Sequence, residues 1–444
     1  MPQLGQLLSS PDAVLRRVAK NMTDKLGASA SAQAVAVYVP GRVEFLGKHT
    51  DYAGGRSLLL AVDRGFRLVA VARKDKELRI ASGPAGTDVM EFEFGQTPAH
   101  AKGHWVNYSA TVARRVNLNF AASLDLKGAD IAFISDVPIA AGMSSSSALM
   151  VATFLGISGV NHLDRTELYR EHITDRIRLA EYLGCVENGQ SYGKLTGEKG
   201  VGTFGGSEDH TAMLNCKAGY LSQFSYAPSV FERDIPWPAG VSIIIASSGV
   251  EAVKTAAAME QYNRASLRSR MACEAYNRSA GTQFKRMRDI AVTVGADGLA
   301  QALAAITRGA ELGKEQDFDL PGRFEQFFRE DQEIIPAVGD ALVRGDVQAI
   351  GPLIDASHAG AVKGLVNQIP QTNFLQASAR KLGAIAASAF GAGFGGSVWA
   401  MTPTDKADGF RKAWHDEYAK SFAAEAKHAE FFITAPGDSA TIAE

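Results

Sequence analysis

From Pro40 to Gly55 the chain runs PGRVEFLGKHTDYAGG, and no other stretch constrains its fold as tightly. Val35, Val37 and Val39 alternate just before it, the period of a strand with one buried face. Arg42, Glu44, Lys48, His49, Asp51 and Tyr52 then crowd into eleven positions, closed by Gly54 and Gly55. The pattern predicts a strand followed by a polar loop. Taken as an arbitrary charged loop, it would be a solvated connection.

The length of 444 residues implies two or three domains. Hydrophobic residues make up 46%, charged residues 21%, and the net charge is −2, an ordinary globular balance. No basic excess or Lys/Arg stripe points to nucleic acid. Cys185, Cys216 and Cys273 lie far apart without CxxC spacing, which argues against a zinc site or a disulfide framework and fits a reducing compartment. The N-terminus, MPQLGQLLSS, lacks the basic start and apolar run of a secretion signal. The uncharged run from Leu382 to Thr404 has the length of a membrane span, but its five glycines suit a tight turn or phosphate loop better. The expectation is a cytoplasmic protein with no membrane partner, monomeric or a weak homo-oligomer.

Ser10-Pro11-Asp12 predicts a helix start, with Ser10 as cap, and Val14, Val18 and Met22 give the helix one apolar face. Leu58–Val62, Arg67–Ala72 and Leu78–Ala81 are β-rich, and Met90, Phe92 and Phe94 alternate with acids. Ile131–Ile134 predicts a strand that feeds SDVPIAAGMSSSSALM. Helical periodicity begins at Ser145, so a small-residue loop delivers serines to a helix N-terminus, where N–H groups and the helix dipole suit an anion. No GxxxxGK[ST] is present, which excludes a P-loop. Gly391–Gly396 matches GxGxxG, but a helix over Ala377–Ala387 is predicted before it and a strand, SVWAMT, after it. A dinucleotide fingerprint would follow a strand and open a helix.

These segments resemble the motifs of the GHMP kinase family, galactokinase branch. The first is similar to GRVNLIGEHTDYNGG, with ten of fifteen positions identical; Glu44 replaces Asn and Lys48 replaces Glu. The serine loop is similar to PxGxGLSSSAA, with Ala140 and Met143 as departures, and GAGFGG to the third motif. CVENGQSYGKLTGEKGVGTFGGSEDH is similar to the AENxFxG…GxxDQ segment, lengthened by several residues and carrying His210 for Gln. The SSGVEAVKTAAAMEQYNR stretch places Tyr262 at a sugar-contacting tyrosine of that branch.

The resemblance implies an α+β, two-domain GHMP kinase fold, 1–235 and 236–444, with the active site in the cleft between domains. It implies transfer of the γ-phosphoryl group of ATP, with Mg²⁺, to the anomeric hydroxyl of galactose or a close relative. Arg42 and Asp209 are the implied catalytic pair. Lys48, His49, Asp51, Gly206 and Tyr262 would meet the sugar. Trp105, Gly142, Ser144, Ser145, Ser146 and Ser147 would hold the nucleotide, and Ser146 with Glu187 the metal. Glu181 competes with Glu187 across the lengthened segment. Lys48 leaves two readings open: recognition of a C6 carboxylate, as in a galacturonate-like sugar, or else internal pairing, with Glu44 four residues away, or solvent exposure. A non-catalytic sensor of galactose and ATP is the alternative of another class, though the serine loop, Arg42 and Asp209 are all retained. HTDY at His49–Tyr52 speaks against a mevalonate-type kinase.

Overall fold

The computed structural model describes residues 1–83, 86, 88–100, 103–138, 142–250 and 256–443, side chains excepted at 256–259. Two sheets organise them. The first contains β1 (Ala34–Leu46), β2 (Arg56–Ala72), β3 (Glu77–Ser82), β4 (Asp88–Glu93), β5 (Ala129–Ser135), β6 (Tyr220–Ser225) and β7 (Val230–Pro236). The second is antiparallel: β8 (Val241–Ser247), β9 (Ala386–Phe390), β10 (Ser397–Pro403) and β11 (Glu430–Thr434), in the order β11-β8-β10-β9. The chain then returns to the first sheet through β12 (Pro436–Gly437) on β2 and β13 (Thr441–Ala443) on β1.

The polar run after Val39 is not wholly a loop. Strand β1 continues to Leu46, with its register against β2 shifting between Pro40 and Arg42 and again between Glu44 and Leu46. Such irregularities bend a strand and re-aim its side chains. Arg42 and Glu44, two apart, therefore share one face of a strand. The true connection is only Gly47–Gly55, containing a 3₁₀ turn at Asp51–Ala53.

Helix Ser145–Asn161 is buried along almost its whole length, consistent with a sequence apolar on every side. It packs between the first sheet and helices Val106–Phe120 and Arg176–Asn188 in one core. A second core joins the two sheets: Phe45 of β1 stacks on Trp399 of β10, centroids 4.1 Å apart. This contact packs the signature strand against the C-terminal sheet.

Two local expectations change. Asp12, not Ser10, caps helix Ala13–Asp24, accepting from the Val14 and Leu15 N–H groups, because its carboxylate reaches both. The residues before Gly391 form strand β9, separated from helix Pro370–Lys381. Alanine-rich AASAF favours helix locally, but burial between neighbours in the sheet overrides propensity. Gly391–Gly396 thus joins two antiparallel strands and still opens no helix. Among the described residues, helix Met287–Gly313 has the length and apolar composition of a membrane span; it is interrupted at Gly295 and packs Ile290, Ala302 and Ile306 into a third core.

Candidate active site

One cleft, with about 1120 Å³ of open space, gathers most of the residues singled out from the sequence. Arg42, His49, Asp51, Gly142, Ser144, Ser145, Ser146, Glu187, Gly206, Asp209 and Tyr262 all line it. Their separation along the chain reaches 220 positions, so only the fold brings them together.

The floor is an ion pair. Arg42 Nε donates to Asp209 Oδ1 at 2.6 Å, and its Nη1 donates to the Gly142 carbonyl at 2.6 Å. The guanidinium is 3% exposed whereas the Asp209 side chain is 30% exposed toward the cleft. Ser144, in a left-handed conformation before helix Ser145–Asn161, donates its hydroxyl to Asp209 Oδ2. Burial pushes the Asp209 carboxyl up, but Arg42 and the Ser144 hydrogen bond outweigh it and hold the group below the usual range. Arg42 thus positions the serine loop and the acid together. Gly391, from the third motif, closes on the same loop: a β-carbon there would stand 2.7 Å from the Gly142 carbonyl oxygen.

The proposed sugar side is equally built. His49 Nδ1 pairs with the Tyr52 hydroxyl at 2.9 Å and Nε2 with the Ala392 carbonyl at 3.1 Å. Burial, then the nearby Arg323 charge, lowers the imidazole to about 4, so it is neutral at neutral pH. Asp51 accepts from the Tyr52 and Glu208 N–H groups at 2.8 and 3.3 Å. Gly206 is required by closeness, since a β-carbon would lie 2.3 Å from Asp51 Oδ2. The Tyr262 ring sits 5.3 Å from that of His49, centroid to centroid.

Glu187 lines the cleft and accepts from the Ser147 hydroxyl at 2.8 Å, with His210 Nε2 3.3 Å away. Ser147 is itself buried and does not line the cleft, so Gly142, Ser144, Ser145 and Ser146 provide the exposed edge of the serine loop. Glu181 faces elsewhere. It accepts from Arg178, from the Tyr192 hydroxyl at 2.8 Å and from the Ser229 N–H at 2.5 Å. Six helical positions separate the two acids, a rotation of about 240°. For the metal the available oxygens are few: among the described residues no cluster of three His, Cys, Asp or Glu side chains could hold an ion. Hard oxygens from Glu187 and Ser146 suit Mg²⁺ only if phosphate and water complete its shell.

Besides Ser147, two further expected contacts are not in this cleft. Trp105 donates its indole N–H to Asp88 and packs edge-on against Phe133 at 5.2 Å. Lys48 is 1% exposed and donates to Ser357 Oγ at 2.9 Å, so it presents no ammonium to the cleft. Nor does it form a close ion pair with Glu44; no such contact within 4.0 Å occurs among the described residues. The loop turns at Gly47, which sends Lys48 toward helix Ile350–Gly360 rather than back along β1. Ala140 of the serine motif lies outside the described residues.

Glu44 and Glu208 were not expected in the site. Both line the cleft, both are buried, and each bears on the other's carboxyl. Burial raises Glu44 to about 7, against the pull of Lys48 and Arg42, and pushes Glu208 well above the ordinary value. The departure from Asn at position 44 was the available signal; its partner, next to Asp209, was not legible. Below an ordinary value of 4.5 both folded and unfolded chains hold the Glu44 proton, and up to about 7 only the folded chain does. Stability is therefore lost as pH rises through that window and is level above it. Glu44→Gln should gain thermal stability over wild type at about pH 8 and much less at about pH 4.5. Melting curves at the two pH values check this; an equal difference at both would show that Glu44 carries no such proton.

The chain is similar to known proteins both in sequence and in fold. Residues 24–73 match the galactokinase galactose-binding signature, 107–189 the GHMP kinases N terminal domain and 340–420 the GHMP kinases C terminal domain. A galactokinase of Chloroflexus aggregans is 28% identical over 86% of this chain and 87% of its own. One from Pasteurella multocida is 28% identical over 86% and 89%. In fold, the Lactococcus lactis galactokinase complexed with galactose superposes with a TM-score of 0.78 at 20% identity, covering 97% of this chain and all of the other. The Methanococcus jannaschii mevalonate kinase reaches 0.54 at 14% identity. The matched segments are those of GHMP kinases, and the relatives similar over most of the chain are galactokinases.

Proposed function

We propose that the chain transfers the γ-phosphoryl group of ATP to the anomeric hydroxyl of galactose or a closely related sugar. The observation that carries this reading is the Arg42–Asp209–Ser144 arrangement, which joins the sugar side of the cleft to the serine loop. Phosphoryl transfer depends mainly on positioning and on stabilising charge. The serine-loop N–H groups at the start of helix Ser145–Asn161 receive phosphate oxygens. Arg42 carries positive charge at the point where charge moves. Asp209, kept ionised, accepts the hydrogen bond of the attacking hydroxyl and aims it; a carboxylate held below its usual range is a weak proton acceptor. His49, Asp51, Gly206 and Tyr262 hold the sugar. Mg²⁺, bound through Glu187 and Ser146, would neutralise the phosphate oxygens. The protein would act in the cytoplasm, as two domains dividing near residue 236, with 436–443 returning to the first.

ATP consumption against galactose, galacturonate, arabinose, glucose, N-acetylgalactosamine and fucose tests the assignment. Galactose should rank first, and galacturonate should gain nothing, because Lys48 is turned away from the cleft. Binding of galactose and ATP without turnover would make the protein a sensor; a preference for galacturonate would return Lys48 to the sugar.

A further inference from the structure

The loop that offers His49 and Asp51 is itself held from the other half of the chain. Glu330 Oε1 accepts from the Gly47 N–H at 3.0 Å and from the Lys48 N–H at 3.4 Å. At the loop's far end Asp331 Oδ1 accepts from the Arg56 N–H at 2.7 Å. Between them, Arg323 Nη2 donates to the His49 carbonyl at 2.7 Å. All three side chains are closed to solvent, and none lines the cleft.

They belong to one helical run, Leu320–Phe328 continued by a π turn at Arg329–Ile334. In an α-helix the seventh residue after Arg323 shares its face, and the eighth is turned about 80° away. The π turn holds more residues per turn and narrows that angle, so Glu330 and Asp331 both face the loop. His49 supplies an independent sign of constraint. Its φ of 55° is uncommon for a residue with a β-carbon and persists where neighbours over-determine it. Arg323 fastens its carbonyl while Tyr52 and Ala392 fasten its ring.

We propose that Arg323, Glu330 and Asp331 are positioning residues, a clasp that sets the 47–56 loop so that His49 and Asp51 meet the sugar. The proposal rests on the sugar-kinase reading above. It predicts a selective effect, because the clasp touches the sugar loop and not the serine loop. Glu330→Ala leaves two buried N–H groups without an acceptor, so KM for galactose should rise about tenfold or more, with KM for ATP within about twofold. Glu330→Gln keeps an acceptor oxygen and should recover most of the loss. Hydrogen exchange should quicken at 47–56 in Glu330→Ala and stay unchanged over Ser145–Asn161. An equal rise of both KM values, no recovery in Glu330→Gln, or unaltered exchange at 47–56 would overturn the clasp. Should wild type phosphorylate no sugar, the functional reading falls, while the exchange comparison still decides the clasp. Asp331→Asn, which also keeps an acceptor, should leave exchange at 47–56 near the wild-type rate, and a quickening as large as in Glu330→Ala would overturn the clasp.

Discussion

Asp209→Asn should lose about 10²–10⁴ of turnover, the range seen when a positioned acid or base is removed. The variant amide keeps an oxygen near the hydroxyl but no charge, and it no longer neutralises Arg42, which is 3% exposed. Arg42→Ala should be at least as damaging, since one side chain holds both Asp209 and the Gly142 carbonyl. Removing it loosens the acid and the serine loop together, and leaves Asp209 without the charge that keeps it ionised. Both proteins should remain folded by circular dichroism, because the pair sits at a cleft rather than in a core. Asp209→Asn should still bind ATP. Single-turnover rates with galactose check the result; a near-normal rate in Asp209→Asn removes that residue from the reaction.

The second large effect separates two acids on one helix. Glu187→Gln should raise the Mg²⁺ concentration for half-maximal activity by about tenfold or more, since ligand charge governs affinity for a hard cation. Glu181→Gln should leave that concentration unchanged and lower stability instead, by about 1–3 kcal/mol. Its two oxygens already serve Arg178, Tyr192 and Ser229, and an amide cannot accept from all three as a carboxylate does. Metal titrations and melting curves on the same two variants decide the matter. The reverse pattern would place the metal acid at Glu181.

Much of the site was legible because its chemistry is carried in short, contiguous words. His49 and Asp51 lie in one loop, Ser144 to Ser147 at one helix start, and Gly206 with Asp209 in one turn. Residue type and spacing determine such local arrangements before any long-range contact forms. The same holds for helix Ser145–Asn161 and for strand β8, whose apolar runs leave few alternatives. Where the local signal was weak it misled. The helix expected to run to Ala387 stops at Lys381, with Ala386 and Ala387 in β9, and the polar residues Arg42 and Glu44, expected in a loop, lie in β1.

Residue type and order alone carry the family resemblance, the succession of motifs and the identity of the polar groups that meet in the cleft. Long-range packing sets which way the ambiguous charges point. Lys48 turns to Ser357, 309 positions away, and Glu330 reaches Gly47 across 283. Glu44 faces Glu208, and Glu181 and Glu187 part to different faces of one helix. A charged side chain has no periodicity that announces its partner. Its direction follows from the backbone bend beneath it and from the groups that can satisfy it once water is excluded.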